Sequence, residues 1–149
     1  ALLGRYERDK ARYPRRSWPR PAVRWTPDSA GGLRLFPFAD GPFAMETLAG
    51  RAAAVARAEG AIRYLYAAVH DGFGSGRPET LVARVTYLDT PGGRFTIHYN
   101  RPAEPYASGA WITLAGSGQW KEAAIVLKDA FFANEQNGGA DLRLSLIHI

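Results

Sequence analysis

Two kinds of side chain that suit sugar recognition lie close together in the second half of the chain: aromatic rings, and planar amide or guanidinium groups. Aromatic faces stack on the apolar face of a sugar ring, and planar polar side chains bind hydroxyl groups in pairs. The candidate residues are Arg101, Tyr106, Trp111, Trp120, Asn134, Gln136 and Asn137. Their types indicate a glycan-binding surface if the fold exposes them together.

Each candidate also has a purely structural interpretation. Trp120 follows a Gly-Ser-Gly turn, where a tryptophan is more often part of the core than a sugar platform. Residues 134–139 can form a simple turn, because an Asn-Gly pair tolerates positive φ. Tyr106 and Trp111 lie beside a Pro-rich loop and at the start of a strand. We therefore expect Tyr106 and Trp111 to be the exposed members of the set.

Residues able to catalyse a reaction are few. The absence of Cys excludes disulfides, thiol nucleophiles and Cys-ligated metals. His70 and Asp71 are adjacent, so on a strand their side chains point apart and form no dyad. His98 alternates with Phe95 and the core residues after it, so we expect His98 to face solvent or the opposite sheet face. No nucleophile elbow, phosphate loop or zinc motif occurs, and the sequence predicts a domain without catalytic activity.

The positive charge is concentrated at the start of the chain. The formal charge is +5, and residues 1–24 hold +6, which leaves −1 for the other 125 residues. A uniformly basic face for nucleic acid is therefore not expected on the body of the protein. No stretch has the length of a membrane helix, so the sequence predicts neither a nucleic-acid nor a membrane partner.

The pattern of elements predicts an all-β fold. Residues 1–27 are basic and Pro-rich, which forbids a long helix and indicates a linker or the tail of a preceding domain. An RNA-binding arm is the alternative for this stretch. Residues 28–143 alternate short apolar runs with turns, as in an antiparallel β-sandwich. Residues 45–59, rich in Ala, fit a helix and an Ala-rich strand equally well.

The two ends of the sequence indicate a fragment. Residues 144–149 look like a translated sequencing adapter of the kind found in metagenomic libraries, and Ala1 is not a start methionine. We therefore expect a piece of a longer protein whose sandwich lacks its last strand. A natural C-terminal strand rich in Leu and Ile is the alternative.

Several stretches, taken in order, resemble galactose-binding-like jelly-roll domains, the accessory domains of bacterial glycoside hydrolases. The stretches are 63–66 (RYLY), 82–89 (VARVTYLD), 95–100 (FTIHYN), 118–121 (GQWK) and 129–143 (DAFFANEQNGGADLR). The resemblance covers about residues 33–143. It implies a jelly-roll sandwich that binds a polysaccharide or glycan and performs no catalysis. It also implies a secreted or periplasmic bacterial protein, with a preceding catalytic domain in the same chain.

Two further functions stay open beside this one. The first is a structural spacer that packs on the catalytic domain and binds no sugar; the second is a small glycan-cleaving sandwich enzyme. Domains of the type resembled often hold a structural calcium, to which Asp89, Asp129 and Asp141 could contribute. No loop has the dense Asp and Asn spacing of a dedicated calcium site, and no other cofactor is predicted.

Overall fold

The computed structural model describes residues 18–74 and 76–148, and this part of the chain folds into twelve β-strands. The strands are β1 (Arg24–Thr26), β2 (Ser29–Gly31), β3 (Leu33–Phe36), β4 (Phe43–Leu48), β5 (Arg51–Ala56), β6 (Ile62–Val69), β7 (Glu79–Leu88), β8 (Gly93–Arg101), β9 (Glu104–Ser108), β10 (Ile112–Thr113), β11 (Trp120–Ala130) and β12 (Leu142–His148). A single 3-10 turn covers Asn137–Gly139.

A six-stranded antiparallel sheet forms the first layer, with the strand order β10-β8-β12-β6-β3. Strand β12 lies between β6 and β8, and β9 pairs with β8 on the edge that β10 also uses. Phe95, Ile97 and Tyr99, at every second position of β8, face one side of the sheet and are buried. This inner side faces the core, and the opposite side faces away from it.

A two-stranded antiparallel sheet of the long strands β7 and β11 forms the second layer. Its register runs from Trp120 opposite Leu88 to Ala130 opposite Glu79. Ile125 and Leu127 on its inner side are buried against the inner side of β8. Burial of these apolar side chains between two pleated surfaces is the main force that holds the layers together. The all-β antiparallel sandwich that the alternating pattern predicts is thus confirmed.

Residues 45–59 contain no helix: residues 45–56 form two strands and the turn between them, and residues 57–59 follow as a loop. Strands β4 and β5 pair from Phe43 opposite Ala56 to Leu48 opposite Arg51. Ala49 and Gly50 between them both have positive φ, at 45° and 79°. Two consecutive residues with positive φ make the two-residue turn whose twist matches a β-hairpin. Of the two structures that the sequence left open, the Ala-rich strand is therefore correct.

The residues predicted to be adapter-derived make up most of β12. Leu144 and Leu146 pack against the core, while Ser145 points to the other side and is buried. Apolar and polar residues that alternate with period two suffice to place a segment in a sheet. Strand pairing does not depend on the origin of the residues, so the adapter hypothesis stays a prediction.

The predicted linker is described only from Trp18 onward; residues 1–17, with most of the basic charge and most of the proposed RNA arm, lie outside the described residues. The Trp18 ring lies 5.1 Å from the His70 ring. The Trp18 backbone N–H donates to the Gly72 carbonyl at 3.3 Å. The end of this segment therefore packs on the sandwich.

Candidate binding surface on the outer face of the six-stranded sheet

The side of the six-stranded sheet that faces away from the core carries a cluster of aromatic and basic side chains. Strand register places Arg143 of β12 between Tyr66 of β6 and His98 of β8. The next row along the strands, Tyr64, Ser145 and Thr96, points to the same side. We call this side the outer face; its members are Arg34, Phe36, Tyr64, Tyr66, Arg94, His98 and Arg143, with Tyr106 and Trp111 beside them.

Arg143 is the centre of the outer face. Its Cζ lies 3.9 Å from the centroid of the Tyr64 ring and 4.1 Å from that of Tyr106. Its Nε donates to His98 Nδ1 at 2.9 Å, and its Nη1 donates to the Tyr66 hydroxyl at 3.1 Å. Stacking and two hydrogen bonds fix the guanidinium plane. Nη2 makes no hydrogen bond with any residue of 18–74 or 76–148. This nitrogen of the guanidinium group is therefore available to a ligand.

Tyr66 supports Arg143 from below the surface. Its side chain is fully buried, and its hydroxyl donates to Asp40 Oδ2 at 3.1 Å. The same hydroxyl accepts from Asn137 Nδ2 at 3.0 Å as well as from Arg143. Burial raises the pKa of Tyr66 above its ordinary value. The phenol therefore stays protonated at neutral pH, and its hydroxyl is a hydrogen-bonding group in a fixed position.

His98 is held neutral on the outer face. Burial, and secondarily the positive charge of Arg143, lower the pKa of His98 below its ordinary value. Because Nδ1 accepts a hydrogen bond from Arg143, the ring proton of the neutral form is on Nε2. The side chain points to the sheet face opposite the core, one of the two orientations that its alternation with Phe95 predicts.

Trp111 lies at the rim of the outer face and is 36% exposed. Arg94 Cζ lies 4.4 Å from the centroid of the Trp111 ring, and the His98 ring meets that ring edge-on with centroids 6.5 Å apart. Tyr106 is half-buried, and its hydroxyl accepts the backbone N–H of Asn137 at 2.9 Å. Trp111 is therefore the more accessible of the two aromatic candidates.

The amide candidates have different environments. Gln136 is buried, and its Nε2 donates to the carbonyls of His98 and Pro105 at 3.1 and 2.7 Å, so it ties β8 to β9. Asn137 reaches the outer face through its bond to the Tyr66 hydroxyl. Asn134 Nδ2 donates to Asp71 Oδ1 at 3.1 Å. The structure thus brings Tyr106, Trp111 and Asn137 together, whereas the side chains of Gln136 and Asn134 bond within the fold.

Trp120 and Arg101 lie apart from this cluster. Trp120 begins β11 in the other layer, and its Nε1 donates to the Ala49 carbonyl at 3.3 Å. Arg101 forms an ion pair with Asp129 at 3.5 Å. Trp120 therefore contacts the β4–β5 hairpin, and Arg101 is occupied by a carboxylate of the same chain.

His70 and Asp71 each take part in a separate structural bond. His70 Nδ1 accepts the backbone N–H of Gly72 at 2.9 Å, which closes a tight turn, while Asp71 accepts from Asn134. His70 and Asp71 thus lie at the end of β6 with different partners, as the sequence analysis predicts for two adjacent residues. The absence of catalytic activity stays a prediction.

The three carboxylates proposed for calcium do not converge, and the described residues contain no group of three His, Asp or Glu side chains that could hold a metal. Asp141 accepts the backbone N–H groups of Val69 and Asn134, and Asp129 pairs with Arg101. Asp89 is surrounded by hydrogen-bond donors. Calcium requires converging oxygen ligands, so these residues do not fit the ion.

Asp89 instead fixes the turn before β11. It is fully buried; Oδ1 accepts the N–H of Ala115 at 2.7 Å, and Oδ2 accepts the N–H of Ser117 at 3.0 Å. Lys121 Nζ lies 2.9 Å from Oδ2. The bond from Lys121, followed by the bonds from Ser117, lowers the pKa of Asp89 far below its ordinary value.

We expect Asp89 to make the fold sensitive to acid. A folded-state pKa below the unfolded value gives stability that is fully present above the ordinary Asp pKa of about 3.9 and is lost as the pH falls further. Urea unfolding at pH values from 5 to 2.5 should show a steep loss in the wild type and a shallower one in Asp89→Asn. Equal slopes in the two proteins would contradict this assignment, and Asp28→Asn, at an exposed turn, is the control.

The outer-face residues that the sequence analysis missed are Arg34, Phe36, Tyr64, Tyr66, Arg94 and Arg143. Alternation within residues 62–69 and 142–148 does place Tyr64, Tyr66 and Arg143 opposite the apolar positions. Their proximity, however, follows from β12 lying between β6 and β8, strands far apart in sequence. A strand order of this kind cannot be read from local pattern.

Comparison with family models, with curated proteins and with solved structures gave no match. Among the described residues, no helix has the length and apolar character needed to cross a bilayer.

Proposed function

We propose that this protein is a carbohydrate-binding accessory domain without catalytic activity, and that it binds glycan on the outer face. The observation that carries the proposal is an exposed Trp111 ring on the same face as the immobilised Arg143 guanidinium. A sugar ring needs an apolar platform and nearby hydrogen-bond donors in fixed positions. Both are present here.

The hydrogen bonds of the outer face favour binding by ordering it in advance. Arg143 is held by His98 and Tyr66. The Arg143 side chain therefore loses little conformational entropy when Nη2 binds a sugar hydroxyl. Among the described residues the Trp111 indole N–H also has no acceptor. The outer face is a sheet surface and not a deep cleft, and shallow contacts of this kind give modest affinity.

The wider context of the proposal rests on the resemblance to accessory domains of glycoside hydrolases. In that context the partner glycan is part of a polysaccharide, and the domain belongs to a secreted or periplasmic bacterial protein. The segment before β1 would join it to a catalytic domain earlier in the same chain. The domain would then hold that enzyme close to its substrate.

Trp111→Ala tests the binding surface. Retention in affinity gels with soluble polysaccharides should weaken about thirtyfold, since a hot-spot aromatic contributes about 2 kcal/mol. The melting temperature should change little, because Trp111 is at the rim and outside the core.

Trp120→Ala is the matched control, with the same change in the other layer. It should lower the melting temperature and leave retention unchanged. Loss of retention in Trp120→Ala alone would place the sugar site in the second layer and contradict the proposal. Tyr106→Ala is a poorer test, since the Tyr106 ring also supports Arg143.

A spacer without sugar binding is the second candidate function, and one observation favours it. Val82 and Val126 pair across β7 and β11 on the side away from the core, with 56% and 57% of their surface exposed. Exposed apolar side chains that adjoin can mark a contact with another domain. The spacer hypothesis predicts no retention on any polysaccharide in the same gels.

A further inference from the structure

The outer face carries three guanidinium groups that stack on aromatic rings. Arg34 Cζ lies 5.0 Å from the centroid of the Phe36 ring, Arg94 Cζ lies 4.4 Å from that of Trp111, and Arg143 is enclosed by Tyr64 and Tyr106. Stacking of this kind orients a guanidinium while leaving N–H groups at its edge available to a ligand. The outer face is therefore an array of oriented cations.

Not every basic side chain of the described residues has a carboxylate partner. In the rest of the described structure, ion pairs join Arg57 to Glu46, Arg84 to Glu122, Arg101 to Asp129 and Lys121 to Asp89. Arg34, Arg94 and Arg143 form no ion pair with any described residue. Asp40 approaches Arg143 only through the Tyr66 hydroxyl that both of them bind. Ion pairs within the described residues therefore do not neutralise the positive charge of the outer face, as is also true elsewhere of Arg20, Arg24, Arg51, Arg63, Arg77 and Lys128.

The positions of the arginines suit an extended ligand. Arg94 is opposite Ile147 in the sheet, and Arg143 is four residues away from Ile147 along β12. At about 3.3 Å per residue, the two positions are about 13 Å apart along the strand direction. A single small anion does not span that distance, whereas a polymer with repeated anionic groups does.

We infer that the ligand of the outer face is an acidic glycan, a polysaccharide that carries carboxylate or sulfate groups. This inference rests on the proposed function and adds the class of sugar to it. A guanidinium fork binds a carboxylate or sulfate through two parallel hydrogen bonds. Arg94 is exposed and its side chain makes no hydrogen bond or ion pair with any described residue, so it can leave the Trp111 ring to meet such a group.

Single-stranded nucleic acid also combines anionic groups with rings, but the outer face fits it less well. Binding of that kind needs several open ring faces on which bases stack. Here Tyr64 and Tyr106 both use a ring face on Arg143, and Trp111 uses one on Arg94. With Phe36 on Arg34, four rings of the outer face are therefore already in contact with an arginine.

The test compares polysaccharides that differ in charge alone. The full chain is run in affinity gels at 0.15 M salt with polygalacturonate and its methyl ester, and with dextran sulfate and dextran. We expect at least tenfold stronger retention on one charged polymer than on its neutral partner, and the pair that responds separates carboxylate from sulfate. Arg94→Gln should weaken that retention about tenfold. Arg84→Gln, which removes the same charge from the other layer, should not.

Three results would overturn the inference. Equal retention on the charged and neutral members of each pair, or retention on none of the four polymers, would exclude an acidic glycan. The proposed function would then be tested separately, by retention on neutral polysaccharides and its loss in Trp111→Ala. Equal losses in Arg94→Gln and Arg84→Gln would show attraction by net charge without a site. Stronger, Arg94-dependent retention on poly(U) RNA would identify nucleic acid as the ligand.

Discussion

Asp141→Ala is expected to lower the free energy of unfolding by about 3 kcal/mol or more. The Asp141 side chain is fully buried; Oδ1 accepts the N–H of Asn134 at 2.8 Å, and Oδ2 accepts that of Val69 at 2.9 Å. Hydrogen bonds to a charged acceptor contribute about 1.5–3 kcal/mol each, and the substitution leaves two backbone N–H groups without their acceptor. For a domain of this size the melting temperature should fall by about 6–12 °C.

The loss should be specific to the position of the carboxylate. Asp141→Asn keeps the shape but turns one oxygen into an NH₂ group that faces a backbone donor, so it should be nearly as unstable as Asp141→Ala. Asp28→Ala, at an exposed turn, is the control and should change stability by less than about 0.5 kcal/mol. Denaturant unfolding followed by tryptophan fluorescence measures all three. Wild-type stability in Asp141→Asn would show that the two N–H bonds are not a source of stability.

Asp141 also shows which parts of the fold the sequence could predict. The alternation of apolar and polar residues in 81–88 and 94–100 predicts two half-buried strands, and the structure has β7 and β8 there. Asp141 has no such local signal. Its partners Val69 and Asn134 are 72 and 7 residues away, and a buried carboxylate looks the same as an exposed one in sequence. The calcium hypothesis for Asp89, Asp129 and Asp141 did not anticipate this role.

The candidate site was predictable only in part, because its contacts, like those of Asp141, join residues that are far apart in sequence. Composition drew attention to residues 101–137, and the fold brings Tyr106, Trp111 and Asn137 of that stretch to one face. It could not separate them from Trp120, which lies in the other layer at the Ala49 carbonyl. Nor could it identify Arg143, whose environment is made by Tyr64, His98 and Tyr106 on three other strands. A surface built across strands becomes visible only when the strand order is known.

Arg143→Ala is expected to remove both stability and glycan retention. The substitution leaves His98 Nδ1 without its donor and the Tyr66 hydroxyl with Asn137 as its remaining donor, and it opens a gap between Tyr64 and Tyr106. Two hydrogen bonds at about 1 kcal/mol each and a cation–π contact of about 0.5–1 kcal/mol predict a loss of about 2–3 kcal/mol. Retention in polysaccharide gels should fall below detection, because the fixed donor at the centre of the face is gone.

Arg143→Lys separates geometry from charge. Lysine keeps the positive charge, but an ammonium on a flexible stem does not stack between two rings and bond His98 and Tyr66 together. We expect Arg143→Lys to recover less than half of the lost stability and none of the retention. Full recovery of retention would mean that the outer face needs only a positive charge at this position, and the argument for an ordered guanidinium would fail.

The ionisation of His98 gives a readout that does not depend on any ligand. Burial is the main cause that lowers the pKa of His98, and the charge of Arg143 is the second. Removing the arginine should therefore raise the pKa of His98 towards its ordinary value of about 6.5 without reaching it. An NMR titration of the His98 ring in the wild type, Arg143→Ala and Arg143→Lys measures the shift. Arg143→Lys should stay closer to the wild type because its charge still opposes the imidazolium; identical pKa values in all three would show that Arg143 does not act on His98 in solution.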